Sequence, residues 1–258
     1  MNILDSIRLD GRTALVTGGA GHIGRMCAET LGGLGANVIL ADLPGGNLEG
    51  VAAQLGAMPA PVDLADLDAV RNLADRLQSE QIEILVHTAS LVGTTRIPGW
   101  AEEIQNQSAE IWPKALNVGV ASAFELAQGL RPSMAANGRG SIILFSSIYG
   151  QVGPDFGLYE GTGMGNPVGY GVAKGGLIQL CRYLTTTYTP EIRTNLISPG
   201  GVARGQHPDF VAKYNSKTPM RRMATEADLA GAVAYFATDL SLYVSGQDLA
   251  VDGGFTAW

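Results

Sequence analysis

The 258-residue sequence predicts a single doubly wound α/β domain: a parallel sheet with helices on both faces. Three observations predict it. Short, continuously apolar runs alternate with amphipathic helical stretches along the whole chain, and strands buried on both faces need no polar side. The first apolar run leads into a glycine-rich turn, Thr17-Gly18-Gly19-Ala20-Gly21-His22-Ile23-Gly24, that opens a helix. Hydrophobic residues make up 46% of the chain and charged residues 16%, enough to fill one large core.

The elements follow in order. Thr13–Thr17 (TALVT) reads as the first strand, and 24–34 as a helix stopped by Gly35. A second strand covers 37–41 (NVILA) and a short third covers 59–62, before an amphipathic helix at 67–77. IEILVH at 82–87 is a fourth strand. A long helical stretch spans about 110–136, entered through Pro113. SIILF at 141–145 is the fifth strand, 170–188 a helix, 193–197 a sixth strand, 226–237 a helix and 248–251 the last strand. No repeat or interdomain linker interrupts this alternation. The one long irregular segment, 150–169, is rich in Gly and Pro, and loops of that length in compact domains are usually functional.

Composition removes several functions. A formal charge of -7 argues against a nucleic-acid surface, which needs a basic patch. No apolar run is long enough to span a bilayer, and the opening MNILDSIRLDGR lacks the apolar stretch of a signal peptide, so a cytoplasmic location is expected. Cys27 and Cys181 fall in helical patterns far apart and read as reduced, packed thiols. No metal-ligand cluster is expected.

The glycine turn has the spacing G-x-G-x-x-G at Gly19, Gly21 and Gly24. Such glycines let backbone approach a diphosphate and let the helix pack against the sheet, while the helix N-terminus supplies N–H donors. The context supports the motif: a strand before it, a helix after it, and Asp42 at the end of the second strand. An acidic residue there binds the ribose hydroxyls of NAD and repels a 2′-phosphate, and no Arg or Lys occupies 41, 43 or 44. The expected cofactor is NAD. Asp63-Leu64 after the third strand is expected at the adenine edge, with a helix cap as the structural alternative for Asp63.

Tyr170-Gly171-Val172-Ala173-Lys174 places a phenol and an ammonium one helical turn apart. A free tyrosine, with a pKa of about 10, is a poor base at neutral pH. A nearby cation favours phenolate, which makes the residue a usable acid or base. With the dinucleotide turn, this points to hydride transfer at a carbon bearing oxygen.

Taken in order, Thr17–Gly24, Asp42, Asp63-Leu64, Asn117, Ser146-Ser147, Tyr170–Lys174, NLISPGGV at 195–202 and GQDLAVDGG at 246–254 resemble the short-chain dehydrogenase/reductase family over essentially the whole chain. The resemblance implies a Rossmann-type sheet and a catalytic set of Asn117, Ser147, Tyr170 and Lys174. It implies cofactor contacts from Gly18, Gly21, His22, Ile23, Gly24, Asp42, Asp63, Leu64, Ala89, Tyr170, Lys174, Gly200 and Val202. It also implies a substrate lid at about 203–223 and, from the apolar tail ending in Trp258, a homotetramer. Of the two serines, strand alternation turns them to opposite faces, and the resemblance favours Ser147 as the residue on the substrate oxygen.

The sequence departs from the family pattern at three places. His22 stands in the phosphate turn and is expected to face solvent or diphosphate. His87-Thr88-Ala89-Ser90 replaces the usual Asn-Asn-Ala-Gly, which predicts loss of the asparagine contacts that brace the sheet. The segment between Ser147 and Tyr170 is longer than usual, and its Asp155, Tyr159, Glu160 and Thr162 suit a polyol. Ser147, Asp155, Glu160 and, from the lid, His207 are the expected substrate contacts. The segment also resembles a subgroup linked to bacterial surface-sugar or flagellin modification. The expected activity is NAD-dependent interconversion of a secondary alcohol and a ketone, with a 3-oxoacyl-thioester reductase or a non-catalytic NAD-binding regulator as alternatives.

Overall fold

The computed structural model describes residues 2–93, 95 and 97–258. Its elements run α1 (Ile3–Ser6), β1 (Thr13–Thr17), α2 (His22–Gly33), β2 (Asn37–Asp42), α3 (Leu48–Leu55), β3 (Met58–Pro61), α4 (Leu67–Arg76), β4 (Ile82–His87), α5 (Trp112–Leu116), α6 (Ser122–Gly129), α7 (Arg131–Ala135), β5 (Gly140–Phe145), α8 (Val168–Tyr188), β6 (Ile192–Pro199), α9 (Pro208–Lys217), α10 (Ala227–Ala237) and β7 (Asp248–Val251). The strands form one parallel sheet in the order β3-β2-β1-β4-β5-β6-β7.

Strand periodicity divides the core into two layers. Leu15, Leu85, Ile142 and Leu144 face one side, where they pack with Val70, Leu73, Leu126, Leu177 and Leu184 from α4, α6 and α8. Ala14, Val16, Ile84, Val86, Ile143 and Phe145 face the other, against Cys27, Leu31, Val51, Leu229, Val233 and Phe236 from α2, α3 and α10. Cys27 and Cys181 are both free and buried, and burial pushes both thiols up in pKa, so neither is a poised thiolate.

The structure corrects two expectations. The stretch expected as one helix over 110–136 is broken: α5 gives way to a π-turn at Asn117–Ala121, continues as α6 and restarts as α7. A π-turn inserts one residue into the helical ladder and is frequent at functional sites. Three helices, α1, α3 and α9, lie outside the expected elements: α1 is a single turn, α3 follows a glycine-rich turn and α9 lies inside the lid.

The strand order reverses between β1 and β4, and ligands of such sheets bind at the carboxyl edge beside that point. Gly18, Asp42, His87, Ser147 and Gly200 all stand at or just past the carboxyl ends of their strands.

Candidate active site

The glycine turn is a cradle that side chains would fill. Gly18 has φ +65, and a Cβ there would lie 2.8 Å from Thr88 Oγ1 and 3.0 Å from Ala89 N. A Cβ on Gly24 would lie 2.1 Å from the carbonyl oxygen of Gly18, so the first turn of α2 presses directly on the loop. Gly21 is the N-cap of α2 and offers no side-chain cap, which leaves the N–H groups of His22, Ile23 and Gly24 facing outward. This is donor chemistry suited to a diphosphate, and the residues present fit a dinucleotide.

Asp42 is held against the cradle. Its Oδ2 accepts from Ala20 N at 2.9 Å and its Oδ1 from Leu43 N at 2.8 Å. Each oxygen keeps a lone pair for a ribose hydroxyl. Of the expected adenine-edge pair, Leu64 is buried in the core and Asp63 caps its own turn through Ala65 N at 2.9 Å. The cap of α4 is Asp66, so the capping alternative considered for Asp63 passes to its neighbour.

The missing asparagine contacts after β4 are replaced by other side chains. Thr88 Oγ1 donates to the Thr17 carbonyl at 2.7 Å, and His87 Nδ1 lies 2.9 Å from Thr17 Oγ1, so two side chains tie β4 to β1. His87 is fully buried, and desolvation, with the charge of Lys174, lowers its pKa to about 3. It is a neutral packing residue, not a proton carrier.

The two serines at the end of β5 face opposite ways. Ser146 Oγ donates to the backbone carbonyl of Lys174 at 2.9 Å and clamps α8 to the sheet. Ser147 Oγ accepts from Tyr149 N at 3.2 Å and stands close enough to the Tyr170 phenol to lower its pKa. Lys174 is 4% exposed; its Nζ donates to the Phe145 carbonyl at 2.7 Å and lies 5.5 Å from the centre of the Tyr170 ring. Burial lowers the Lys174 pKa to about 7. Burial raises that of Tyr170, with the Ser147 hydrogen bond and the Arg204 charge opposing the rise. Burial thus outweighs the other influences on the phenol, and the lowering expected from Lys174 acting together with an oxidised nicotinamide belongs to the cofactor-bound protein. Asn117 begins the π-turn, and its amide donates to the Ala65 carbonyl at 3.1 Å, tying that turn to the loop after β3.

The remaining substrate candidates lie along a seam between insertion and lid. Asp155 caps a short 3₁₀ turn through Gly157 N and pairs with Lys217 of α9. Lys213 Nζ donates to the Glu160 backbone carbonyl at 2.7 Å, while the Glu160 side chain is exposed. His207 caps α9 through Asp209 N. Aromatic packing closes the same seam: Tyr159, Phe210, Tyr214 and Phe255 pack in sequence with centroids 5.2, 5.8 and 4.9 Å apart, the last pair stacked and the others tilted. Of this set only Ser147 adjoins Tyr170. Gly200 N bonds the Val251 carbonyl, and Val202 bridges to Ala224, so both are fixed at the base of the lid.

A polar trio beside Tyr170 joins Tyr159, already read as suited to a polyol, to Tyr149 and Asn166, which sequence reasoning missed. The Tyr149 and Tyr159 hydroxyls lie 2.9 Å apart, and Asn166 Nδ2 donates to the Tyr159 oxygen at 3.1 Å. Burial and the phenols of Tyr159, Tyr214 and Tyr170 push Tyr149 up in pKa, so it stays a neutral hydrogen-bonding group. One signal was available: Tyr149 follows Ser147 by two residues. Among the described residues no cluster of His, Cys, Asp or Glu could hold a metal ion, and no helix is long and apolar enough to cross a membrane.

A seven-stranded parallel sheet with a glycine cradle, an acidic β2 terminus and a Ser-Tyr-Lys group at one edge defines a nucleotide-linked oxidoreductase. The family model described as Enoyl-(Acyl carrier protein) reductase matches residues 18–256, and the chain belongs to the short-chain dehydrogenase/reductase family. It is 30% identical to cis-4-hydroxycyclohexanecarboxylate dehydrogenase of Sinomonas cyclohexanicum, over 95% of this chain and 97% of that one. It is 29% identical to galactitol 2-dehydrogenase (L-tagatose-forming) of Cereibacter sphaeroides, over 97% of both. Its fold superposes with a TM-score of 0.85 on a candidate NAD(P)-dependent gluconate 5-dehydrogenase of Beutenbergia cavernae solved with NADP at low occupancy, at 28% identity, covering 98% of this chain and 100% of that one. It superposes with a TM-score of 0.84 on a short-chain dehydrogenase of Leptospira borgpetersenii solved with NAD⁺, at 29% identity, covering 99% of this chain and 96% of that one.

Proposed function

We propose that this chain is an NAD-dependent dehydrogenase that interconverts a secondary alcohol of a sugar-like polyol and its ketone. The observation that supports it most is the shared edge of the sheet on which the glycine cradle, Asp42, Ser147, Tyr170 and Lys174 lie. Ser147 hydrogen-bonds the substrate oxygen and fixes it against the Tyr170 phenol. In oxidation Tyr170 accepts the hydroxyl proton; in reduction it donates that proton to the developing alkoxide. Lys174, anchored on the Phe145 carbonyl, holds a cation beneath the ring. When bound, the oxidised nicotinamide accepts hydride and adds positive charge that favours phenolate. The Tyr149–Tyr159–Asn166 trio offers hydroxyl and amide groups to further substrate hydroxyls, in keeping with polyol-acting relatives such as the galactitol enzyme.

NAD is preferred over NADP because the Asp42 carboxylate repels a 2′-phosphate and no cation stands at 41, 43 or 44 to receive one. The exposed apolar side chains of Leu242, Tyr243, Leu249 and Trp258, on β7 and the segments flanking it, support an assembly, and we take it to be a homotetramer. Cofactor reduction should be followed across polyols, cyclic hydroxyacids and 3-hydroxyacyl thioesters, each with NAD and NADP. Polyol-dependent reduction of NAD is the expected result, and Asp42→Ala with Leu43→Arg should turn preference toward NADP. Equal wild-type efficiency with both cofactors would remove the Asp42 assignment, and turnover of thioesters alone would favour the acyl-thioester reading.

A further inference from the structure

One charged cluster lies beside the cradle and has been given no role beyond the influence of Arg204 on the Tyr170 phenol. Arg204, two residues past Val202 at the start of the lid, extends its Nε to within 3.1 Å of Glu226 Oε1. The same carboxylate oxygen lies 4.0 Å from Nδ1 of His22, the first residue of α2. One acidic oxygen thus stands between a lid cation and the phosphate turn. The guanidinium makes only that one hydrogen bond within the described residues, leaving its Nη groups free. By contrast, Arg222 is bidentate to Asp228, with both bonds at 2.7 Å, and Arg25 is paired along its own helix to Glu29. The backbone around Arg204 is fixed: Arg204 N bonds Gln206 Oε1, and Gln206 Nε2 bonds the Val202 carbonyl. The side chain is a third exposed, and its Glu226 partner sets it beside the first residue of α2.

We propose that Arg204 is a clamp for the cofactor diphosphate and that Glu226 is its latch, holding the guanidinium when the diphosphate is absent and competing with it for the same donors. This rests on the reading of the edge site as a dinucleotide site. A partly exposed pair with a single hydrogen bond is weak and readily exchanged. A diphosphate between the uncapped N–H groups of α2 and the lid offers the planar fork several charged oxygens in place of one. A substrate carboxylate is the competing anion, but His22 shares the latch oxygen and belongs to the phosphate turn, which places the cluster at the diphosphate end.

The test is calorimetric binding of ADP-ribose, which carries the diphosphate and no redox group, to the intact protein without substrate. Arg204→Gln should weaken ADP-ribose binding about tenfold or more, as for a lost hydrogen bond to a charged group. Glu226→Gln, which keeps the shape and removes the competing charge, should tighten binding about two- to fivefold. Both effects should shrink as salt rises, and the Glu226→Gln gain should vanish in the double variant. Circular dichroism checks that each variant is folded, and Arg204→Lys, which keeps charge but loses the fork, should fall between wild type and Arg204→Gln. An Arg204→Gln protein with unchanged ADP-ribose affinity and a raised KM for hydroxyacids would overturn the clamp and make Arg204 a substrate reader. Weaker binding in Glu226→Gln would overturn the latch. If wild type binds no ADP-ribose, the dinucleotide reading itself fails; if wild type binds and neither variant shifts, only the clamp and latch fail.

Discussion

Lys174→Met should make the cofactor-free protein more stable near neutral pH while removing catalysis. The ammonium is 4% exposed and donates to one carbonyl, that of Phe145 at 2.7 Å. Burial brings its pKa from 10.5 to about 7. At about 1.4 kcal/mol per unit, carrying that charge into the fold costs about 4 kcal/mol at pH 7. Met fills a similar volume, pays no such cost and leaves the Phe145 carbonyl without its donor, a loss of about 1–3 kcal/mol. The balance favours the variant by about 1–3 kcal/mol, a rise in Tm of roughly 5 °C for a domain of this size. The pH dependence identifies the cause. Below pH 7 the lysine is charged in both states and the folded protein carries the whole cost. Between pH 7 and 10.5 the folded form sheds its proton while the unfolded chain keeps it, so wild type gains on the variant as pH rises. Near pH 10.5 only the lost hydrogen bond remains, and wild type should be the more stable. Urea unfolding of both proteins at pH 7 and pH 10, with m-values compared, measures this directly. A variant less stable than wild type at pH 7, or a gap that does not change with pH, would refute the reasoning.

Four further outcomes are expected. Gly24→Ala places a Cβ 2.1 Å from the Gly18 carbonyl, so the cradle must open; stability should fall by about 1–3 kcal/mol, and calorimetry should show NAD binding weakened about tenfold. Tyr170→Phe keeps the ring and deletes the proton-carrying oxygen, so steady-state turnover should fall by at least about 100-fold with NAD binding retained. Ser147→Ala should likewise lower turnover, whereas Ser146→Ala, which loses only the bond to the Lys174 carbonyl, should show itself mainly in thermal unfolding. Tyr159→Phe removes the hydroxyl shared by Tyr149 and Asn166; the KM for a polyol should rise about 2- to 12-fold and that for NAD should not move.

The layers of the fold were legible because strand periodicity is local: alternate residues of β1, β4 and β5 read directly as two buried faces. The glycine cradle, Asp42 and the Tyr170–Lys174 pair were legible for the same reason. Each depends on spacing within one turn or on a strand end, and those are short-range properties. That the two serines face opposite sides was legible too, since strand alternation separates Ser146 from Ser147; which of them meets the substrate was given only by the family resemblance.

Other features required the folded chain. Asp155 and Glu160 looked like substrate groups because they are polar and lie between catalytic residues. Yet Asp155 pairs with Lys217 across the insertion–lid seam, a contact between segments that no local pattern reveals. The break at Asn117 was hidden because a π-turn keeps helical composition. Protonation was the most dependent on tertiary structure. Spacing placed Lys174 one turn from Tyr170, but burial sets both pKa values, moving the lysine down to about 7 and the phenol up. Arg204, Glu226 and His22 come from three separate segments and meet only because α10 packs against α2. By itself the sequence determined the sheet, the glycine turn and the one-turn spacing of the Tyr170–Lys174 pair to which proton handling is assigned in the proposed function, because these are written in residue spacing. Charge state, the polar trio beside Tyr170 and the cation beside the cradle were decided by the tertiary structure, because desolvation and contact depend on which distant segments are brought together.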